Sequence, residues 1–157
     1  MQLAHQIVTL DGLTSPVQGT CFPPVNRWRL AVLRSGVGDP AGASVHAEQG
    51  AKLAEKVKDS KLAGEAWMVL GDLRFDSDAS LAREAYAKAL ASWGNDLALL
   101  ARRANVTYNL AALEAHEGEI AAAQERFSVA RDLALRAGDA GLVARVDEIL
   151  LRLESER

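Results

Sequence analysis

Val69-Leu70-Gly71 recurs in kind forty residues earlier as Arg29-Leu30-Ala31 and forty residues later as Asn109-Leu110-Ala111. The register continues past the triplets. Gly38 and Gly118 lie two periods apart with Asp78 between them; Ala43 and Ala123 do the same, with Ala82 one position out of register. A fixed period of this size marks stacked supersecondary units, each too small to bury its own apolar face and completed by its neighbours. Such a chain is expected to be a binding scaffold, and the identity of its partner is not written in the repeat.

On both sides of the central triplet the apolar spacing is helical, from about residue 26 onward. Asp39-Pro40 places an N-cap and a first-turn proline at the start of a helix expected to run to about Lys58, where Asp59-Ser60 breaks the chain. Leu62, Ala66, Leu70 and Leu73 follow at helical spacing. The stretch Asp76-Ser77-Asp78-Ala79-Ser80 offers several caps before the stripe Leu81, Ala82, Ala85, Tyr86 and Ala89, which Gly94-Asn95 ends. A long helix is expected from Asp96 to about His116, with Gly118 as its C-terminal glycine. Ile120, Ala123, Phe127 and Ala130 mark the next, closed by Gly138-Asp139, and Leu142, Val146, Ile149 and Leu153 mark the last, before Glu154-Ser155-Glu156-Arg157. A second echo agrees with this count. Asp96-Leu97-Ala98-Leu99-Leu100-Ala101-Arg102 matches Asp139-Ala140-Gly141-Leu142-Val143-Ala144-Arg145, and Asp59-Ser60-Lys61-Leu62-Ala63 opens the same way. Residues 26–157 therefore read as three helix hairpins and a seventh, capping helix, an all-α domain.

Composition narrows the function classes. The 157 residues suffice for one domain with a sizeable core. About half are apolar but aromatics are only 5%, and the alanine that fills the difference favours closely spaced helices. A net charge of −3 gives no global attraction for nucleic acid or an anionic membrane. No apolar run is long enough to span a bilayer, and Met1-Gln2-Leu3-Ala4-His5-Gln6 lacks the basic region of a secretory signal. With the lone Cys21, these features lead to an expected cytoplasmic location. The alanine- and arginine-rich texture points to a bacterial one. Residues 1–25 form a loop-rich leader: Thr14-Ser15-Pro16, Gly19-Thr20-Cys21 and Pro23-Pro24 read as loop. Leu3, Ile7 and Leu10 fit a short helix imitating half of a missing hairpin, and equally a strand or a disordered leader.

Trp67-Met68-Val69-Leu70-Gly71 resembles the Trp-x-x-Leu-Gly opening of a tetratricopeptide repeat, and Ala82-x-x-x-Tyr86-x-x-Ala89 and Ala123-x-x-x-Phe127-x-x-Ala130 resemble its second-helix signature. The resemblance covers roughly residues 26–157 and is weakest in the first hairpin, where Ala47 replaces the aromatic. It implies an α-solenoid: three hairpins stacked in a short right-handed superhelix, capped by a C-terminal helix. It also implies the reason for the residue types. A small residue on the first helix lets the second approach, and the second helix's aromatic fills the space between hairpins. The chain departs from the family in its forty-residue period, longer than the usual 34, in Arg34, Arg74 and Glu114 where the family prefers tyrosine, and in having no proline after the second helices. A HEAT-like array, with a period closer to forty, remains the alternative solenoid.

The resemblance further implies that the first helices of the hairpins line a concave groove for a peptide or partner helix. The matching positions are Trp28 and Val32 in the first hairpin, Glu65, Met68, Asp72 and Phe75 in the second, and Asn105, Tyr108, Asn109, Ala112 and His116 in the third. The terminal helix adds Arg145, Glu148 and Arg152. Aromatic and methionine anchors among carboxylates and carboxamides suit recognition of a protein segment with apolar and basic side chains. Trp28 and Phe75 read equally as groove or core, Trp67 as packing, and Tyr108 and Asn109 as the best groove candidates. The family's carboxylate-clamping variant is not expected, because no lysine stands at the matching positions.

Catalytic signals are poor, and no enzyme, metal or cofactor is expected. His5, His46 and His116 are scattered without a ligand spacing, and His116 suits the negative end of a helix dipole. Cys21 has no identified base. Gly36-Val37-Gly38-Asp39-Pro40-Ala41-Gly42 lacks the lysine of a phosphate loop and the strand of a dinucleotide site. Arg102-Arg103 is an isolated basic pair. Two alternatives stand beside the scaffold: self-association into a homodimer, and a small-molecule binder or enzyme with the N-terminal loop as a lid.

Overall fold

The computed structural model describes Gly38 and residues 40–155. The leader 1–25 with Cys21, the positions Trp28, Val32 and Arg34, the triplet Arg29-Leu30-Ala31 and the cap Asp39 lie outside the described residues. Six α-helices succeed one another: α1 (Pro40–Lys56), α2 (Ser60–Arg74), α3 (Ala79–Trp93), α4 (Leu100–His116), α5 (Ile120–Ala137) and α6 (Ala140–Ser155). No strand occurs among the described residues, which are all-helical apart from their turns. None of these helices is long and apolar enough to cross a membrane. Each packs on the next in the chain, most closely α2 with α3 and α4 with α5.

Small residues set these close approaches. Helix α1 turns Ala43, Ala47, Ala51 and Ala54 inward, and all four are fully buried. Alanine loses no side-chain entropy there and lets the neighbouring helix come near. Helix α2 is buried on more than one side, through Leu62, Ala63, Gly64, Glu65, Ala66, Trp67, Leu70 and Gly71. At two positions it carries no side chain because α3 occupies the space. A Cβ on Gly71 would sit 2.5 Å from the ring of Tyr86, and one on Gly64 would overlap the indole of Trp93. The Trp93 indole N–H donates to the Lys61 carbonyl at 3.2 Å, and the Trp67 indole N–H donates to Glu55 Oε1 at 2.7 Å. Trp67 is thus a packing residue, as its sequence context suggested.

Helix α4 belongs to two cores. Its Val106, Leu110 and Leu113 join Ala47, Trp67, Leu70, Tyr86 and Trp93 in a first cluster. Its Ala104 and Ala111 join Phe127, Leu133, Leu142 and Val146 in a second. Among the described residues, Tyr86 and Phe127 are the largest fully buried side chains.

The turns follow the aspartates and glycines. Asp59, Asp78 and Asp139 each accept the backbone N–H three residues on, at 3.0, 2.9 and 2.9 Å. Gly118 and Gly138 take φ of +83° and +75°, so the chain leaves α4 and α5 through left-handed residues that disfavour a Cβ. Two boundaries differ from expectation. Helix α1 stops at Lys56 rather than Lys58, because Lys58 itself adopts φ +59° and the Asp59 N–H folds back on the Ala54 carbonyl at 2.9 Å. Asp96 does not open α4 directly. It accepts from Ala98 N–H, two residues on, and that tighter bond starts a 3-10 turn at Leu97–Leu99 before the α-helix begins at Leu100.

Candidate functional site

The buried hydroxyl of Tyr86 on α3 needs an acceptor, and α2 supplies it: Tyr86 Oη donates to Asp72 Oδ1 at 2.7 Å. Asn109 on α4 then donates from Nδ2 to both, at 3.2 Å to Asp72 Oδ1 and 3.1 Å to Tyr86 Oη. Three consecutive helices are tied at one point. Loss of water around the carboxyl raises the Asp72 pKa above its ordinary value, against the lowering effect of the bonds from Tyr86 and Asn109. Asp72 as a residue keeps an exposed surface, so this desolvation is that of a rim position, half covered by its partners. Burial, with the hydrogen bond to Asp72 next, pushes the Tyr86 hydroxyl well above the ordinary tyrosine range, so it stays protonated and donating.

Helices α2 and α4 meet again two turns earlier. Glu65, buried on α2, pairs with Arg102 Nη1 of α4 at 2.8 Å. Arg102 and Arg103 therefore do not act as a basic pair: Arg103 turns to Asn95 Oδ1 at 3.3 Å. On the other side of α4, the Arg145 guanidinium of α6 lies 5.8 Å from the centre of the Tyr108 ring. The Tyr108 ring meets Phe127 edge-on at 5.5 Å. Tyr108 is half-buried against the second core, leaving part of its surface to solvent.

The expected groove positions are thus brought together in two groups. Glu65, Asp72 and Asn109 sit at the α2–α4 seam, and Tyr108 with Arg145 at the α4–α6 seam. Met68 and Phe75 are half-buried against the first core, so Phe75, open between groove and core in the sequence, packs on that core and keeps part of its surface exposed. Ala112 is half-buried against the second core. Asn105 is exposed and donates to the Ala101 carbonyl at 2.9 Å along its own helix. His116 is exposed in the last turn of α4. Arg152 pairs with Glu148 of the same helix at 2.8 Å, and no bond ties it to α4.

Two residues that bond these positions were missed by motif reading. Arg102 was hidden in a dipeptide, and Tyr86 was read only as a packing aromatic. The repeat held the signal for Tyr86: forty and forty-one residues after Asp72 and Tyr86 stand Ala112 and Phe127, so carboxylate and hydroxyl appear and vanish together. Arg74 and Glu114, also one period apart, point to neighbouring helices as well, Arg74 to Glu48 of α1 at 3.7 Å and Glu114 to Arg126 of α5 at 2.8 Å.

Two recesses lie elsewhere. One of about 310 Å³ lies between α5 and α6, lined by Leu135, Asp139, Val143 and Asp147, and one of about 230 Å³ among α1, α2 and α3 is lined by Glu48, Trp67, Arg74 and Lys88. Neither takes in any expected groove residue. No cluster of three metal-ligating side chains is found among the described residues. No protein-family model matches this chain, and no curated protein matches its sequence.

Proposed function

We propose that this chain is a protein-interaction scaffold of the tetratricopeptide kind. In this reading α2–α3 and α4–α5 are successive hairpins of a short right-handed solenoid, α1 is the second helix of a first hairpin and α6 is the cap. The face shared by α2, α4 and α6 is its concave groove. One observation carries the proposal: α4 is bonded on one side to α2, through Asn109–Asp72 and Arg102–Glu65, and touched on the other by α6, through Arg145 over Tyr108. Helices alternating in the chain are thereby neighbours in space, the arrangement in which first helices line one surface. Tyr108, Met68 and Phe75 supply partly exposed apolar anchors for a bound segment.

The test is a display selection of peptides on the full chain, followed by titration of an enriched peptide. The variant Met68→Ala/Tyr108→Ala, with unchanged helical circular dichroism, is expected to bind at least about tenfold more weakly. Unchanged affinity, or no enrichment at all, removes the proposal. A second reading is self-association through the outer side of α6, where Leu151 is 68% exposed. Light scattering separates a dimer from a monomeric scaffold.

A further inference from the structure

The groove positions include three carboxylates, and two are already neutralised. Glu65 holds Arg102 at 2.8 Å and Glu148 holds Arg152 at 2.8 Å. Asp72 holds no cation among the described residues. Its two hydrogen bonds come from neutral groups, and both fall on Oδ1. Tyr86 and Asn109 fix the carboxylate in place, and among the described residues no group bonds Oδ2, on a residue that keeps an exposed surface.

The surroundings favour a positive charge at that point. Asp72 lies in the last turn of α2 (Ser60–Arg74), at the negative end of the helix dipole. Arg74, the cation nearest in sequence, is directed to Glu48 of α1 instead. Met68 and Phe75, one turn before and one turn after Asp72, are half-buried apolar side chains able to pack the methylene stem of a long basic residue.

From this arrangement we infer that Asp72 is the specificity residue of the groove, receiving a lysine or arginine side chain of the bound segment on Oδ2. This inference rests on the groove reading above and adds to it the chemistry of the occupant. A cation arriving there also offsets the burial that raises the Asp72 pKa.

The probe is an array of acetylated, amidated nonapeptides with three positions held as leucine and one scanned as arginine, lysine, citrulline or glutamate. The wild-type chain is expected to prefer arginine or lysine over citrulline by about tenfold at one position. Asp72→Asn, which retains an oxygen acceptor for the Tyr86 hydroxyl, is expected to lose that preference while still binding the leucine-bearing peptides. A basic preference that survives Asp72→Asn, or its absence from the wild type, overturns the inference and leaves the groove standing. Full binding of every peptide by Met68→Ala/Tyr108→Ala overturns the groove itself, and a wild-type chain that captures none of the peptides overturns both.

Discussion

Gly64 and Trp93 exchange volume. The indole fills the space a Cβ on Gly64 would need, while the corresponding residues one repeat period on, Ala104 and Ala134, share the second core as two small side chains. Gly64→Ala alone is therefore expected to cost ~1–3 kcal/mol by overpacking. Trp93→Ala alone is expected to cost about 3–5 kcal/mol through the cavity it leaves. The double variant recreates the Ala–Ala pairing and is expected to be less destabilised than the sum by at least about 1 kcal/mol, measured by urea unfolding of the four proteins. Strict additivity would show that the two side chains do not compete for one space. Asp72 allows a second test at this scale. Its folded pKa lies above the ordinary 3.8. A group shifted in that direction favours the fold fully only below the unfolded value, and loses that contribution as pH rises through the folded one. Asparagine carries no such dependence. Asp72→Asn is thus expected to gain stability over the wild type at pH 7, and the gain should shrink to nothing below about pH 4. A difference that is constant with pH, or grows on acidification, contradicts the assigned cause.

The helix boundaries show which features were legible in the chain. Asp59, Asp78 and Asp139 cap as their positions suggest, because a short acidic side chain before an apolar run has few other uses. Asp96 opens a stretch similar to that of Asp139 but closes on the second residue rather than the third; Leu97-Ala98 stands where the other has Ala140-Gly141. Lys58 shows the opposite failure. It occupies a left-handed position like those of Gly118 and Gly138, yet it carries a side chain, so no glycine marks the end of α1. Lys58→Gly is accordingly expected to raise stability by about 1 kcal/mol in thermal or urea unfolding, since the residue is exposed and only backbone strain is relieved. A loss of stability would mean that the lysine side chain compensates for its conformation. The expected groove positions along α2, α4 and α6 came from the family resemblance. Which of them bond one another was not legible, because Asp72–Asn109 and Tyr108–Arg145 depend on the lateral placement of helices separated by another helix in the chain.

Across the molecule, α4 is the element on which the functional reading turns. One of its faces enters the core built with α1, α2 and α3, another enters the core built with α5 and α6, and its Tyr108 and Asn109 reach α6 and α2. In the proposed solenoid, an element shared in this way makes the α2–α4–α6 face continuous, as an extended guest requires. The most direct test is a two-dimensional ¹⁵N NMR titration of the full chain with a peptide enriched by selection. Shift changes are predicted to concentrate at Met68, Asp72, Tyr108, Asn109 and Arg145, leaving the exposed sides of α3 and α5 unmoved. Changes confined to α3 and α5, or to the outer side of α6 around Leu151, would contradict the groove.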